Sequence, residues 1–295
     1  MIKFKEKSLF KGGKVIVVTG ANGQLGREFL KFLNRAGISC KGFDRSELDI
    51  SCGEKVLRVI KELKPDVIIN CAAYNQVDRA EIEYEMAYKV NVIGVENLAV
   101  AARETGAFFV HYSSDYVFDG KKEDGLYREE DTPSPLNEYG KSKLLGEERI
   151  KAVLDEYLIL RVSWVYGEGK QNFIHKLLLW AEKNSYLKVA CDEFSVPTYT
   201  KMIVEVTLKA IEKRLTGLYH LTNSGFTSRF EWARAVFEIL GVDKFVRPVH
   251  SSIFSLPAKR PLFSPMSNEK ISKELSVSIP HWRESLKEFL KCLKR

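Results

Sequence analysis

The chain has 295 residues, 45% of them apolar and 29% charged, an ordinary composition for a soluble globular protein, and no apolar run approaches the roughly 18 residues that cross a bilayer. The five cysteines (40, 52, 71, 191 and 292) lack C-x-x-C spacing, which argues against a disulfide framework or a metal site and predicts a cytoplasmic protein. The net charge is +7, and residues 241–295 supply +6 of it, with eleven Lys/Arg against five Asp/Glu. This charge favours an anionic small molecule as the partner. Nucleic acid is disfavoured, because no basic run is interleaved with aromatic residues.

The first predicted element is a buried strand over 14–19, which leads into a glycine-rich turn and a helix over 24–35. The turn has glycines at positions 20, 23 and 26, and the helix carries its apolar residues on one face. Such a turn lets a diphosphate approach the backbone and contact the free N–H groups at the positive end of the helix. This segment therefore predicts a nucleotide-binding site.

Asp44 lies at the tip of the second predicted strand, 39–43, a position suited to bind the adenosine ribose of a dinucleotide. A carboxylate here favours the free 2′-hydroxyl of NAD, whereas the neighbouring Arg45 favours the 2′-phosphate of NADP. The sequence leaves NADH and NADPH both open. Asp49 and Ile50 end the following loop and are expected to border the adenine.

Strands and helices continue to alternate as far as residue 162. The further strands are predicted over 66–70, 107–112 and 157–162, and the further helices over 53–63, 84–105 and 138–154. Alternation of this kind produces right-handed crossovers and a parallel sheet covered on both faces. The predicted fold is α/β, a doubly wound parallel sheet of the NAD(P)-binding Rossmann type.

Polar residues follow the strand over 107–112, where Ser113, Ser114 and Asp115 come in succession. Ligands bind beyond the carboxyl ends of the strands in a doubly wound sheet. A hydroxyl at this position can donate a hydrogen bond to a substrate carbonyl and polarise it. The alternative is a turn in which these residues only cap the strand.

Tyr139 and Lys143 stand four residues apart on the predicted helix 138–154 and so project from one face. An ammonium beside a phenol stabilises the phenolate, which lowers the tyrosine pKa and makes a usable general acid. A second Y-x-x-x-K pair, Tyr166 with Lys170, encloses Gly-Glu-Gly and is predicted to lie in a loop without a fixed face. The first pair is therefore the stronger candidate.

The alternating rhythm weakens after Trp164. Helices are predicted over 172–184, 200–213, 228–240, 267–275 and 281–293, and short strands over 186–190 and 217–221, separated by proline-bearing loops such as 247–250. We therefore expect an NAD(P)-binding domain over 1–165 and a smaller α+β substrate-binding lobe over 166–295. No Gly/Ser linker divides them, which predicts that they pack as one body with some chain exchange.

Taken together, these stretches resemble the extended short-chain dehydrogenases/reductases, and more closely the dTDP-4-dehydrorhamnose reductases. The matching stretches are TGANGQLG (19–26), KPDVIINCAAYNQVDRAE (64–81), NVIGVENLA (91–99), SSDYVFDG (113–120), PLNEYGKSKLLGE (135–147), LRVSWVYG (160–167), VPT (196–198) and AKRP (258–261). They occur in order over most of the chain. The glycine spacing G-x-x-G-x-x-G is also the short-chain reductase form of the nucleotide-binding turn.

The resemblance implies a role for each matching residue. Cofactor binding is assigned to Gly20, Asn22, Gly23, Gln24, Leu25, Gly26, Cys71, Ala72 and Ala73, in addition to Asp44, Arg45, Asp49 and Ile50. The catalytic residues are Ser114, Tyr139 and Lys143, of which the last two also contact the cofactor. Asp115, Tyr116 and Trp164 are assigned to the sugar, and Arg260 to a substrate phosphate.

The implied activity is NAD(P)H-dependent reduction of the 4-keto group of dTDP-4-dehydro-L-rhamnose. The chain departs from the family pattern at Ser114, where threonine is usual, and at Glu193 and Ser195, where glutamine and glycine are frequent. Two alternatives remain: a reductase or epimerase of another nucleotide sugar, and a regulatory subunit similar to the β subunit of methionine adenosyltransferase. Analogy with many short-chain reductases also suggests a homodimer through helices 84–105 and 138–154.

Overall fold

The computed structural model describes residues 15–293, and its first part alternates strands with helices. In chain order these are β1 (Ile16–Thr19), α1 (Gln24–Arg35), β2 (Cys40–Phe43), α2 (Gly53–Leu63), β3 (Val67–Asn70), α3 (Val77–Ala80), α4 (Tyr84–Tyr88), α5 (Gly94–Thr105), β4 (Phe108–Ser114), α6 (Glu138–Val153) and β5 (Tyr157–Val162). The first three strands are four-residue runs, and β1 and β3 are fully buried. Buried apolar runs are expected for strands covered on both faces.

The second part of the chain mixes shorter strands with longer helices. These elements are β6 (Val165–Tyr166), α7 (Phe173–Lys183), β7 (Tyr186–Ala190), β8 (Phe194–Ser195), β9 (Thr198–Tyr199), α8 (Thr200–Glu212), β10 (Gly217–His220), β11 (Thr227–Ser228), α9 (Arg229–Leu240), β12 (Phe245–Val249), α10 (Glu269–Leu275) and α11 (Trp282–Leu293). A capping box at Ser228 and Glu231 fixes the start of α9, and Gly241 in the left-handed conformation ends it.

The centre of the molecule is a parallel six-stranded sheet with the order β10-β5-β4-β3-β1-β2. The chain runs from β1 outward to β2 and then crosses to β3 on the other side of β1, so the strand order reverses at β1. At the carboxyl ends, Thr19 lies beside Asn70, and Asn70 beside His111. Ligands bind at such a switch point in open parallel sheets. The predicted doubly wound sheet is confirmed.

The helix predicted without interruption over 84–105 is broken in the structure by a π-helical turn at Lys89–Ile93. The turn directs the buried Asn91 side chain out of the helix, where its Oδ1 accepts from the Tyr74 amide at 2.8 Å and its Nδ2 donates to Ser142 Oγ at 2.9 Å. One extra residue in a turn leaves the apolar pattern on both sides intact, so periodicity does not reveal it. π-turns frequently occur at functional sites.

Two strands of the second part have partners that the sequence does not indicate. The strand predicted over 217–221 is β10, and it pairs with β5 in the central sheet. β12 pairs with β7 and includes Pro248, within the 247–250 segment that the sequence predicts as a loop. Proline fits there because, among the described residues, this sheet consists of two strands and each has an open edge.

The core lies on both faces of the central sheet. Val17 of β1 packs with the apolar residues of α2, α5 and α6, whereas Val18 faces α1 on the opposite side. The cluster around Val18 continues without a break to Trp232 in α9 and Leu286 in α11. The two parts of the chain therefore share one core. Over residues 15–293, no helix combines the length and apolarity needed to span a membrane.

Candidate active site

The glycine turn after β1 passes close to the backbone that follows β3. Gly20 has a φ of +67°, and a Cβ there would lie 2.6 Å from the Ala72 amide nitrogen. A Cβ at Gly26 would lie 2.3 Å from the Gly20 carbonyl oxygen. Side chains are thus excluded at both positions. Within residues 15–293, no side chain caps the N-terminus of α1. The first N–H groups of this helix are therefore available to an anion.

A cavity of about 360 Å³ opens at the carboxyl ends of β1, β3 and β4. It brings together predicted residues from five separate segments. Those that line it are Gly23, Gln24 and Leu25; Cys71, Ala72 and Ala73; Ser114, Asp115 and Tyr116; Tyr139 and Lys143; and Trp164. The predicted cofactor, catalytic and sugar-binding residues therefore lie against one space.

The remaining cofactor candidates lie outside this cavity. Asp44 accepts hydrogen bonds from the hydroxyl of Ser46, from the amides of Glu47 and Ser46, and from Asn22 Nδ2 at 2.5 Å. These bonds, that from the Ser46 hydroxyl foremost, hold the pKa of its carboxyl below the usual range. The Arg45 side chain is 72% exposed. Ile50 is buried in the core beneath α5. Asp44 and Asn22 thus form one edge of the glycine turn, and Arg45 projects beside it.

Ser114 and Tyr139 both line this cavity. Ser114 is the last residue of β4; its Oγ accepts from the Tyr116 amide at 3.2 Å and donates to Asp115 Oδ1 at 3.2 Å. Tyr139 lies in the first turn of α6, which Asn137 caps. Burial raises the pKa of Tyr139, although a hydrogen bond with Ser114 opposes the shift. The pKa of Tyr139 is therefore raised, whereas the sequence pattern predicts that Lys143 lowers it.

Lys143 sits at the end of a buried polar chain. Its Nζ donates to the Tyr112 carbonyl at 2.6 Å and faces His111 Nε2 at 3.4 Å. The Asn70 Oδ1 accepts from Thr19 Oγ1, so its Nδ2 is the group that donates to His111 Nδ1 at 3.0 Å. This places the proton of a neutral imidazole on Nε2, facing Lys143.

The pKa values of these two groups follow from burial. Burial and the charge of Lys143 hold the pKa of His111 well below its usual value. Burial lowers the pKa of Lys143 to about 8, although Glu147 opposes this. The site therefore combines a protonated phenol, a neutral imidazole and an ammonium that titrates near neutrality.

Asp115 connects the cavity to the second part of the chain. Its buried carboxylate accepts from Ser195 Oγ at 2.9 Å and from Ser264 Oγ at 2.7 Å. Burial raises its pKa. The neighbouring Tyr116 packs edge-on against Tyr139, with ring centroids 5.6 Å apart. Both residues line the cavity, and the Asp115 carboxylate in addition binds the two serines of the second part.

Trp164 has an unusual backbone conformation for an aromatic residue, with a φ of +39°. Its indole stacks on Trp232 at a centroid distance of 5.7 Å, and the Arg229 guanidinium lies 3.6 Å from its ring centroid. A second cavity, of about 650 Å³, adjoins at Arg229 and also includes Arg260. The predicted phosphate ligand Arg260 therefore lines the second cavity and not the one that the catalytic candidates line.

Sequence reasoning missed three residues of this site. His111 lies in an apolar strand pattern, Asn91 in a helical pattern and Arg229 at a helix start, and none carries a motif of its own. The only signal was indirect: Asn91 falls within the NVIGVENLA stretch that matches the family.

Comparisons with known proteins identify the relatives of the whole chain. The family model described as "RmlD substrate binding domain" matches residues 14–295. The chain is 38% identical to the spore coat polysaccharide biosynthesis protein SpsK of Bacillus subtilis (93% of this chain, 96% of that protein) and 36% identical to the dTDP-4-dehydrorhamnose reductase of Burkholderia thailandensis (91% and 95%). The solved structure of dTDP-4-dehydrorhamnose reductase from Bacillus anthracis in complex with NADP superposes with a TM-score of 0.92 at 36% identity, covering 95% of this chain and 99% of that one.

Proposed function

This chain belongs to the dTDP-4-dehydrorhamnose reductase family, and from that membership we propose that it reduces the 4-keto group of dTDP-4-dehydro-L-rhamnose with NADPH or NADH, forming dTDP-L-rhamnose. The observation that carries the proposal is the single cavity against which the glycine turn, Ser114, Tyr139 and Lys143 all lie. A regulatory subunit has no need of that combination.

The residues around the glycine turn fit a dinucleotide. Gly20 and Gly26 leave the backbone clear, and the uncapped N-terminus of α1, from Gly23 to Leu25, would hold the diphosphate. Asp44 would accept hydrogen bonds from the adenosine ribose, with Asn22 fixing its carboxylate. When bound, the nicotinamide cofactor supplies the hydride.

Ser114, Tyr139 and Lys143 would then act on the substrate oxygen. The Ser114 hydroxyl exchanges its long contact with Asp115 for the carbonyl oxygen and orients it. Tyr139, whose raised pKa keeps it protonated at neutral pH, donates its proton to that oxygen as negative charge develops. The Lys143 ammonium would stabilise the resulting phenolate and would hold the nicotinamide ribose.

Tyr116 and Trp164 are proposed to contact the sugar, because both line the cavity. For Asp115 we propose a positioning role, since its carboxylate already accepts from Ser195 and Ser264. We retain the proposal of an NAD(P)-binding domain over 1–165 and a substrate lobe over 166–295, with β10 as the segment exchanged between them.

Oxidation of NADPH and of NADH with a panel of dTDP-, UDP- and GDP-linked 4-keto sugars tests the proposed activity. We expect turnover with the dTDP-linked 4-keto-rhamnose and a loss of about 100- to 10,000-fold in kcat for Tyr139→Phe, which removes the proton donor but keeps the ring. Full turnover by Tyr139→Phe would refute the assignment of the acid. Absence of turnover on every keto sugar would favour the regulatory alternative.

A further inference from the structure

Arg229 is the only described residue that lines both the candidate active site and the larger second cavity. The wall of the second cavity is mostly apolar and includes Phe173, Leu187 and Val189. Glu193 and Arg260 add charge at its edge. The two cavities therefore meet at a guanidinium.

The surroundings of Arg229 leave its hydrogen-bonding edge open. One face of the guanidinium is covered by Trp164 at 3.6 Å, and Phe173 and Trp232 lie within 6 Å of it. Its nearest carboxylate oxygen is Glu193 Oε2, 3.9 Å from Nε. Across residues 15–293, no atom accepts a hydrogen bond from this side chain, which is 21% exposed. Stacking on Trp164 thus fixes the plane of the Arg229 guanidinium, and its N–H donors remain available to a ligand.

Arg260 is in a different state, although it carries the same charge. Its two terminal nitrogens donate to both oxygens of Asp78, at 3.0 and 2.6 Å, and one of them also donates to the Ala258 carbonyl. An incoming phosphate would have to disrupt this bidentate pair. Arg229 has only the 3.9 Å contact with Glu193 to give up.

We propose that Arg229 binds the diphosphate of the nucleotide-sugar substrate, with the keto sugar in the cavity of Ser114 and Tyr139 and the nucleoside in the second cavity. The inference deepens the proposed function and rests on it. A nucleotide sugar carries its diphosphate between sugar and nucleoside, so a substrate that spans both cavities places that charge at their junction. A guanidinium with open edges matches phosphate oxygens in a bidentate manner.

The negative charge of Glu193 repels the same diphosphate, so removing this charge should change the dTDP affinity in the opposite direction to removing the charge of Arg229. Its carboxylate lies on the Arg229 side of the cavity, and burial raises its pKa. Removing its charge without changing its shape, as in Glu193→Gln, takes a negative group away from the diphosphate. We expect Glu193→Gln to bind dTDP more tightly and Arg229→Gln to bind it more weakly.

Calorimetric titration of dTDP and of thymidine into the full chain tests the inference. Arg229→Gln is expected to weaken dTDP binding about 10- to 100-fold while thymidine binding stays unchanged, because a charge-assisted hydrogen bond is lost only with the phosphates. Arg229→Lys should recover part of the loss. Arg234→Gln, an exposed arginine on the same helix, should leave both affinities unchanged.

Unchanged dTDP affinity in Arg229→Gln would overturn the inference, as would an equal loss for dTDP and thymidine, which would indicate lost packing on Trp164. The proposed function fails separately. If the wild-type protein does not reduce the dTDP-linked keto sugar, yet Arg229→Gln loses dTDP affinity selectively, the reaction is wrong and the diphosphate site stands. If the wild-type protein reduces the dTDP-linked keto sugar and Arg229→Gln has the same KM for it, only the assignment of the diphosphate to Arg229 is wrong.

Discussion

The pKa values of Tyr139 and Lys143 move in opposite directions because both side chains are buried. Burial disfavours the charged form of each, so the phenol holds its proton more tightly and the ammonium less tightly. His111 stays neutral beside them, with its Nε2–H facing the lysine. At neutral pH the site therefore holds a phenol as proton donor and a largely charged ammonium.

This arrangement predicts an alkaline limb in the pH profile of reduction. Lys143 is charged below its pKa of about 8 and neutral above it, whereas Tyr139 stays protonated throughout that range. We expect kcat/KM to fall above about pH 8 because the ammonium that stabilises the phenolate is lost. The measurement is kcat/KM from about pH 6 to about pH 10.

Lys143→Arg serves as the comparison, because a guanidinium keeps its charge over the whole range. Its activity should be lower, but its profile should lack the alkaline limb. A wild-type profile that stays level to pH 10, or the same limb in the arginine variant, would contradict the assignment to Lys143.

Two close approaches set the position of α6. A Cβ at Gly140 would lie 2.2 Å from the Tyr116 carbonyl, and one at Gly146 would lie 2.3 Å from the carbonyl of Asn91 in the π-helical turn. Asn91 then donates to Ser142, next to Lys143. The glycines let α6 approach the turn that follows β4 and the π-helical turn, and Asn91 holds it there, so that Tyr139 and Lys143 face the cavity.

Asn91→Ala tests this positioning, with Asn97→Ala as a matched control. Each asparagine donates from a helical segment to another part of the chain, but within residues 15–293 the Asn97 side chain donates to the Ile50 carbonyl alone. We expect both variants to lower the free energy of unfolding by about 1–3 kcal/mol. Only Asn91→Ala should also lose about 10- to 100-fold in kcat, because α6 shifts relative to Ser114. Equal kcat values in the two variants would argue against a positioning role.

The two parts of the chain are joined by more than a surface contact. β10 completes the central sheet beside β5, and α8 packs on α1. Hydrogen bonds also join the two parts: Ser195 and Ser264 donate to Asp115, and Arg260 donates to Asp78. The nucleotide-binding part therefore depends on the second part for one strand and for the cover of one sheet face.

This dependence predicts that the molecule unfolds in one step. We expect a single calorimetric transition whose measured enthalpy equals its van't Hoff enthalpy. A fragment of residues 1–165 should fail to fold, because it lacks β10 and exposes the apolar face that includes Val18 and Phe29. Two separate transitions, or a stable fragment with native circular dichroism, would show that the parts are independent.

Short-range patterns in the sequence were sufficient to predict the features that depend on neighbouring residues. Periodicity and glycine placement predicted the alternating strands and helices of the first part and the nucleotide turn, because buried strands, helix faces and left-handed turns depend on short-range patterns. The four-residue spacing of Tyr139 and Lys143 likewise predicted a shared helix face. The order of the motifs gave the family.

The features that depend on distant partners were visible in the folded molecule and not in the sequence pattern. Burial reversed the expected pKa shift of Tyr139, packing against α6 accompanied the break in the predicted helix over 84–105, and β10 joined the central sheet. The stacking of Arg229 on Trp164 and the pairing of Arg260 with Asp78 distinguished two arginines that look alike in sequence. A side chain's charge state and free donors depend on the residues that surround it in space, and most of those lie far away along the chain.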